Sequence, residues 1–275
     1  MFIVIRALCI PKAGIYKHLH FKGIIKVNVN KNQTFKMYHY GYQIENEIFW
    51  NGLTGGWEKV SLGLWIKLCA NSDVIIDIGA NTGIYSLIAK AVNRNSLVFA
   101  FEPVMRVFKK LEINNQLNKY DIKCLQLAIS NYTGTAIIYD LKSEHIYSVS
   151  VNKNLNDSNI ETVKTEIKTI TLNDVVEKYN LTKIDLIKID VETHEAEVME
   201  GFSKYLEKFK PTILIEILND EVGSNIQKLV CDLDYLYFNI DENSGIRQVK
   251  EITKSDYYNY LLCSEQIAKD LKLIS

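Results

Sequence analysis

An unbroken apolar run, Val74-Ile75-Ile76, passes through Asp77 and Ile78 into Gly79-Ala80-Asn81-Thr82-Gly83. A second apolar set, Ile84, Leu87, Ile88 and Ala91, then recurs at helical spacing. A strand that hands the chain to a helix through two glycines can turn tightly and bring its backbone close to a ligand. The next apolar run, Leu97 to Phe101, closes on Glu102. That is about 20 residues past the glycines, where α/β folds place an acid against a ribose. Strand, turn, helix, strand and acid narrow the chain to an α/β fold that holds a nucleoside. Asn81 stands where a dinucleotide fingerprint, GxGxxG, requires glycine, so that fingerprint is absent.

A chain of 275 residues can bury a large core, and its rhythm divides at about residue 70. Residues 1–70 read as an extension made of a hairpin and a lead-in helix, and residues 71–275 as the α/β domain. In the extension, Ile24 to Val29 and Thr34 to Tyr38 alternate around polar Asn30-Lys31-Asn32-Gln33, while Trp57, Val60, Leu64, Trp65 and Leu68 keep a helical period. Lys plus Arg (32) nearly balances Asp plus Glu (33), so no basic surplus points to nucleic acid. Cys9, Cys69, Cys124, Cys231 and Cys263 are odd in number, dispersed and never in a CxxC pair, the usage expected of reduced thiols in a cytoplasmic protein. The apolar start, Met1 to Ile5, is interrupted by Arg6 and closed by Pro11, too short for a membrane span. No stable membrane insertion is expected, although Lys12, Lys17, Lys22 and Lys26 offer a loose electrostatic contact.

From residue 74 onward strands and helices alternate. The pattern predicts strands at 74–79, 97–102, 122–129, 184–191 and 211–217, and helices at 83–93, 104–118, 171–180, 194–209 and 225–236. Continuous apolar runs such as Ile213-Leu214-Ile215 suit strands covered on both faces of a mostly parallel, doubly wound sheet. Residues 130–170 break the rhythm. Gly134 to Tyr139 and Val163 to Ile170 read as antiparallel strands around Asn- and Ser-rich Asn152 to Asn159, an insertion suited to a lid, an acceptor-binding loop or a plain surface loop. Aromatic Tyr235 to Phe238 and Tyr257 to Leu262 read as two last strands.

A second chemical cluster, Lys188-Ile189-Asp190-Val191-Glu192-Thr193-His194-Glu195, falls at the carboxyl end of the fourth core strand, the edge where open α/β sheets hold ligands. Asp190, Glu192 and His194 are placed to converge there. Histidine titrates near working pH and suits proton removal from a hydroxyl, so His194 is the first candidate base and Asp190 the second. Glu195 and Glu197 read as first-turn acids favoured by the helix dipole. Glu216 ends the next strand and can face the same cleft, as can Glu58 from the lead-in helix. Asp190, Glu192, His194 and Glu216 are also a donor set for magnesium or manganese, but their spacing does not demand a metal and none is assigned.

The conjunction of Asp77-Ile-Gly-Ala-Asn-Thr-Gly83, Phe101-Glu102-Pro103 and Lys188-Ile-Asp-Val-Glu-Thr-His-Glu195 with Glu200-Gly201 resembles the FkbM family of methyltransferases over about residues 57–220. The resemblance implies a class I, Rossmann-like fold with a seven-stranded, mostly parallel sheet, helices on both faces and one antiparallel strand. It implies S-adenosylmethionine as cofactor and O-methylation of a sugar, glycan or small metabolite. By it, Asp77, Gly79, Asn81, Gly83 and Glu102 line the cofactor, Asp190 lies near the transferring methyl, and Glu192 and His194 face the acceptor. N-methylation of a small amine and a non-catalytic cofactor-binding subunit are the alternatives. One departure stands out: the family usually has glycine where this chain has Thr193, and a β-branched residue is strained if that turn needs a positive φ.

Overall fold

The computed structural model describes Arg6, residues 11–141 and residues 162–275. The apolar start Met1 to Ile5, Cys9 and the polar stretch Asn152 to Asn159 lie outside the described residues. After a short helical turn, α1 (Ala13–Tyr16), come the hairpin strands β1 (Gly23–Asn28) and β2 (Thr34–His39), then α2 (Gln43–Asn51) and α3 (Lys59–Cys69). The α/β part begins with β3 (Val74–Ile78), α4 (Ile84–Val92), β4 (Leu97–Phe101), α5 (Met105–Asn118) and β5 (Lys123–Leu125). Strands β6 (Ala128–Ile129), β7 (Gly134–Leu141) and β8 (Thr162–Ile170) form the insertion, followed by α6 (Leu172–Lys178) and β9 (Leu186–Ile189). The chain closes with α7 (Glu195–Glu200), α8 (Ser203–Phe209), β10 (Thr212–Glu216), α9 (Asp220–Val230), β11 (Leu236–Asp241), β12 (Gly245–Val249), β13 (Asn259–Cys263) and α10 (Glu265–Asp270).

The main sheet runs β12-β11-β13-β10-β9-β3-β4-β5. Strands β10, β9, β3, β4 and β5 pair in parallel, and β13 is inserted antiparallel to both β10 and β11. This is the seven-stranded order of the class I fold, widened at one edge by the β11–β12 hairpin. The sequence pattern does not predict β12. A polar turn creates it, in which Asp241 Oδ1 accepts from the N–H groups of Asn243 and Ser244.

Alternate residues of each central strand face opposite cores, as a doubly wound sheet requires. Ile75, Ala100, Leu186 and Leu214 pack with α3, α4 and the amino-terminal hairpin. Ile76, Phe101, Ile187 and Ile215 pack with α6 to α9. The amino-terminal extension shares the first of these cores, because Phe35, Met37 and Trp50 belong to the same buried cluster as Leu87. Asn114 and Asn118 of α5 fasten it further by accepting from the N–H groups of Tyr38 (2.8 Å) and Lys36 (2.6 Å).

Three expectations need correction. The strand expected at 122–129 is two short ones in different sheets, because Leu127 N–H bonds back to Leu125 O at 2.9 Å and turns the chain. The helix expected at 194–209 is broken into α7 and α8, where Phe202 N–H bonds to Met199 O in a tighter turn. The helix expected at 225–236 runs instead over Asp220–Val230: Asn219 accepts from Val222 N–H and caps its start, and residue 236 already begins β11. The expected antiparallel pair is present as β7–β8, with Gly134 opposite Thr169.

Candidate functional site

A cleft of about 450 Å³ opens at the carboxyl ends of β3, β4, β9 and β10, the edge where open α/β sheets bind ligands. Its floor is the turn after β3. Gly79 has φ 77°, and a Cβ there would lie 1.8 Å from the Asp190 carbonyl oxygen, so only glycine lets the β3 and β9 ends close together. Gly79 and Ala80 donate to Phe101 O at 3.0 and 2.9 Å, which locks the turn to the end of β4. Asn81 adopts φ 51°, a left-handed conformation that asparagine tolerates. Its N–H donates to Glu102 Oε2 at 3.1 Å, while Val104 N–H holds Glu102 Oε1 at 2.9 Å. Asn81, Glu102 and Thr82 all border the cleft, and the Oδ1 atom of Asn81 is buried with no hydrogen-bond partner among the described residues.

Two residues read from the sequence as cofactor contacts lie elsewhere. Asp77 is buried, and its Oδ2 accepts from the Ser86 N–H (3.0 Å) and Oγ–H (2.6 Å), so it ties β3 to α4 from within. Burial raises its pKa to about 6, against the opposing hydrogen bonds from Ser86. Gly83 precedes α4 with φ 94° and faces Leu111, whose Cδ1 would sit 2.6 Å from an added Cβ. Neither borders the cleft.

The opposite wall carries the acids. Asp190, Glu192 and His194, from the β9–α7 connection, meet Glu216 from the end of β10 and Glu58 from the start of α3. Glu58 stands in a left-handed conformation (φ 46°) and accepts a short hydrogen bond from the Tyr85 hydroxyl. Behind them Lys188 is buried, its Nζ 3.4 Å from Asp190 Oδ2 and 5.2 Å from the centre of the Tyr85 ring. Burial works against that ammonium, but Asp190, Glu58, Glu216 and Asp77 outweigh it and raise its pKa. The acids respond to the same crowding. Burial, then the Asp190 charge, pushes Glu192 up to about 7 and Glu216 up to about 10. Burial also raises Glu58, against the pull of Lys188. Among the described residues no group of three His, Cys, Asp or Glu side chains is arranged to hold a metal ion.

His194 begins α7. Its Nε2 lies 3.0 Å from Ser130 Oγ and its Nδ1 3.4 Å from Glu197 Oε2. Burial lowers its pKa, against the opposing charges of Glu197 and Glu200, so the ring is neutral at pH 7. The turn before it takes φ 55° at Glu192 and φ 77° at Thr193, the positive φ that glycine would adopt freely. Three further residues, Tyr85, Lys188 and Ser130, support the site although the sequence pattern assigns them no role. Lys188 hides in an apolar strand run, and Tyr85 reads as an ordinary core aromatic on α4. The apolar wall of Leu127, Ile129, Ile138 and Ile167 comes from β6 to β8 and their lead-in, so the insertion helps to build the cleft.

The pattern of a family described as "Methyltransferase FkbM domain" matches residues 77–237, more than half of the chain. Among curated proteins, hexuronic acid methyltransferase AglP of Haloferax volcanii is 25% identical over 175 residues, covering 64% of this chain and 68% of that protein. Methyltransferase sdnD of Sordaria araneosa is 29% identical over 153 residues, 46% of this chain and 59% of that protein. 31-O-demethyl-FK506 methyltransferase FkbM of Streptomyces tacrolimicus is 25% identical over 153 residues, 47% and 59% respectively. The match thus spans about three fifths of the length of the latter two relatives. Among solved structures, methyltransferase FkbM of Methylobacillus flagellatus superposes with a TM-score of 0.40 at 12% identity, covering 70% of this chain and 43% of that one. An O-methyltransferase of Thermotoga maritima gives a TM-score of 0.41 at 15% identity, covering 83% and 74%.

Proposed function

The chain belongs to the FkbM methyltransferase family, and on that premise we propose that it moves a methyl group from S-adenosylmethionine to a hydroxyl of a sugar, glycan or other small hydroxylated metabolite. The observation that carries this reading is the juxtaposition of the glycine turn and Glu102 with a neutral, half-buried histidine across one cleft. On the floor, Gly79 borders the cleft where β3 and β9 close together, Asn81 Oδ1 awaits a donor, and the Glu102 carboxylate borders the cleft at the end of β4. These groups fit an adenosyl ligand: Glu102 for the ribose hydroxyls, the apolar wall at Leu127 and Val104 for the purine. When bound, S-adenosylmethionine supplies a methyl group made electrophilic by a sulfonium. The carboxyl groups of Asp190 and Glu192 face the region where that positive charge would lie.

A hydroxyl that accepts a methyl must lose its proton. His194 is neutral and borders the cleft, and Ser130 Oγ at 3.0 Å orients its Nε2. The acceptor hydroxyl must first replace Ser130 Oγ at Nε2; its proton then passes to that nitrogen, and Glu197 beside Nδ1 would stabilise the imidazolium formed. A general base contributes about 10²–10⁴-fold, and alignment of the reacting atoms supplies the larger share. The relative named for hexuronic acid encourages a carbohydrate acceptor. This cleft, however, is bordered by the carboxyl groups of Glu58, Glu102, Asp190, Glu192 and Glu216 and, among the described residues, by neither lysine nor arginine. An uncharged hydroxylated acceptor therefore fits it better than a uronate.

The test is mass spectrometry on a panel of neutral sugars, amino sugars, uronates and polyols incubated with protein and cofactor. A gain of one methylene unit in a neutral sugar or polyol is expected. His194→Ala should hold S-adenosylmethionine within about threefold of the unsubstituted affinity while turnover falls by about 10²-fold or more. Loss of cofactor binding, or an unchanged rate, removes His194 from this role.

A further inference from the structure

Glu192 and Thr193 are consecutive residues with φ 55° and φ 77°, and neither is glycine. Such strain persists only where surrounding contacts over-determine it. On one side, Asp190 N–H donates to Ile78 O at 3.1 Å and fixes the end of β9. On the other stands Glu195, wholly buried at 0% exposure. Its Oε1 accepts from both Val191 N–H and Thr193 N–H, each at 3.2 Å. A first-turn acid ordinarily faces solvent near the helix N-terminus. Glu195 instead folds back across the connection, and its two bonds bracket Glu192. Asp190, Glu192 and His194 all project from this short segment into the cleft, whereas Glu195 does not border it.

We propose that Glu195 is a positioning residue: its buried carboxylate clamps the left-handed turn so that Asp190, Glu192 and His194 face the cleft together. Its functional meaning rests on the methyl-transfer reading, but its geometry does not. One oxygen forms both bonds, and Oε2 has no hydrogen-bond partner among the described residues. An amide in place of the acid therefore retains the acceptor, and a methyl group removes it. Strain at Thr193 is what the clamp opposes, so glycine at 193 should make the clamp partly dispensable.

The experiment compares Glu195→Gln, Glu195→Ala and Glu195→Ala with Thr193→Gly, all without ligand. Hydrogen exchange reads the Val191 and Thr193 amides, and NMR of labelled histidine reads the titration of His194, assigned with His194→Asn. In the unsubstituted protein His194 titrates below the ordinary histidine value of about 6.5, because it is buried. Glu195→Ala should speed exchange at both amides by about tenfold or more and return His194 toward about 6.5. Glu195→Gln should leave both readouts near the unsubstituted protein, and Thr193→Gly should restore the His194 titration in the Ala background. Unchanged exchange in Glu195→Ala overturns the proposal, as does a Gln variant that behaves like Ala or a double variant with no recovery. If the Ala variant fails to fold, the Gln variant still decides, since faster exchange at the two amides there refutes the clamp. No readout uses the cofactor, so a failure of methyl transfer itself appears separately, as absence of S-adenosylmethionine binding to the unsubstituted protein.

Discussion

Cofactor affinity should rise with pH through neutrality, and Glu192 should be the reason. Its carboxyl, raised by burial and then by Asp190, titrates at about 7 in the free protein. A carboxyl with a raised pKa is ionised only above that value, and only the ionised form attracts a sulfonium. The ionised fraction climbs from about one in eleven at pH 6 to about ten in eleven at pH 8, so affinity should increase by up to about tenfold, or about 1.4 kcal/mol. Glu195, which burial also raises to about 7, shares this window but does not border the cleft, so Glu192→Gln isolates the contribution of the acid that does. Glu216, at about 10, keeps its proton throughout, and Asp77, at about 6, is closed off from the cleft by Ser86. Calorimetric titration of S-adenosylmethionine at pH 6, 7 and 8, at constant ionic strength, reads the slope. Binding near pH 6 should also release a proton, visible as a dependence of the heat on the buffer. Glu192→Gln should flatten the profile, and the demethylated product, which lacks the sulfonium, should bind with little pH dependence. Tighter binding at pH 6, or an unaltered slope in Glu192→Gln, refutes this reasoning.

Gly79→Ala should destabilise the protein severely, because its Cβ would lie 1.8 Å from Asp190 O at a φ of 77°. A loss of about 3 kcal/mol or more, or a fall in Tm of roughly 6 °C or more by thermal shift, is expected, and an unchanged Tm contradicts it. Glu216→Gln should stabilise the protein in mild alkali. The folded chain holds the Glu216 proton up to about 10, whereas the unfolded chain sheds it at about 4.3. Stability from this group therefore declines as pH rises between those values. The Tm of Glu216→Gln should exceed that of the unsubstituted protein by up to about 10 °C at pH 8.5 and nearly match it near pH 5, and the reverse order contradicts the assignment.

The central strands, the glycine turn and Glu102 were legible because each rests on a local rule: an apolar run buried on both faces, a tight strand-to-helix turn, an acid at a fixed distance. The convergence of Asp190, Glu192, His194 and Glu216 on one cleft was legible too, since all four follow strand ends on the same edge of the sheet. Side-chain direction was not. Asp77 lies at the expected place in the chain, yet Ser86, nine residues on, offers two donors and turns it inward. Lys188 reads as a polar interruption of a strand, and only the folded arrangement shows four acids around its ammonium. Glu195 reads as a dipole-favoured helix acid until the positive φ values of Glu192 and Thr193 make its backward bonds intelligible. The broken helix at Gly201-Phe202 and the hairpin strand β12 depend on local turn bonds, which apolar periodicity does not register.

Methyl transfer here requires that one ligand occupy the cleft between the turn after β3 and Glu102 at the end of β4. Equilibrium dialysis with methyl-labelled S-adenosylmethionine, on the unsubstituted protein and on Glu102→Ala, with thermal unfolding in parallel to confirm that both are folded, tests it directly. Saturable binding at one site, weakened about tenfold or more by the substitution, is the predicted result. No retained label in the folded, unsubstituted protein, or equal retention by a folded Glu102→Ala, would contradict it.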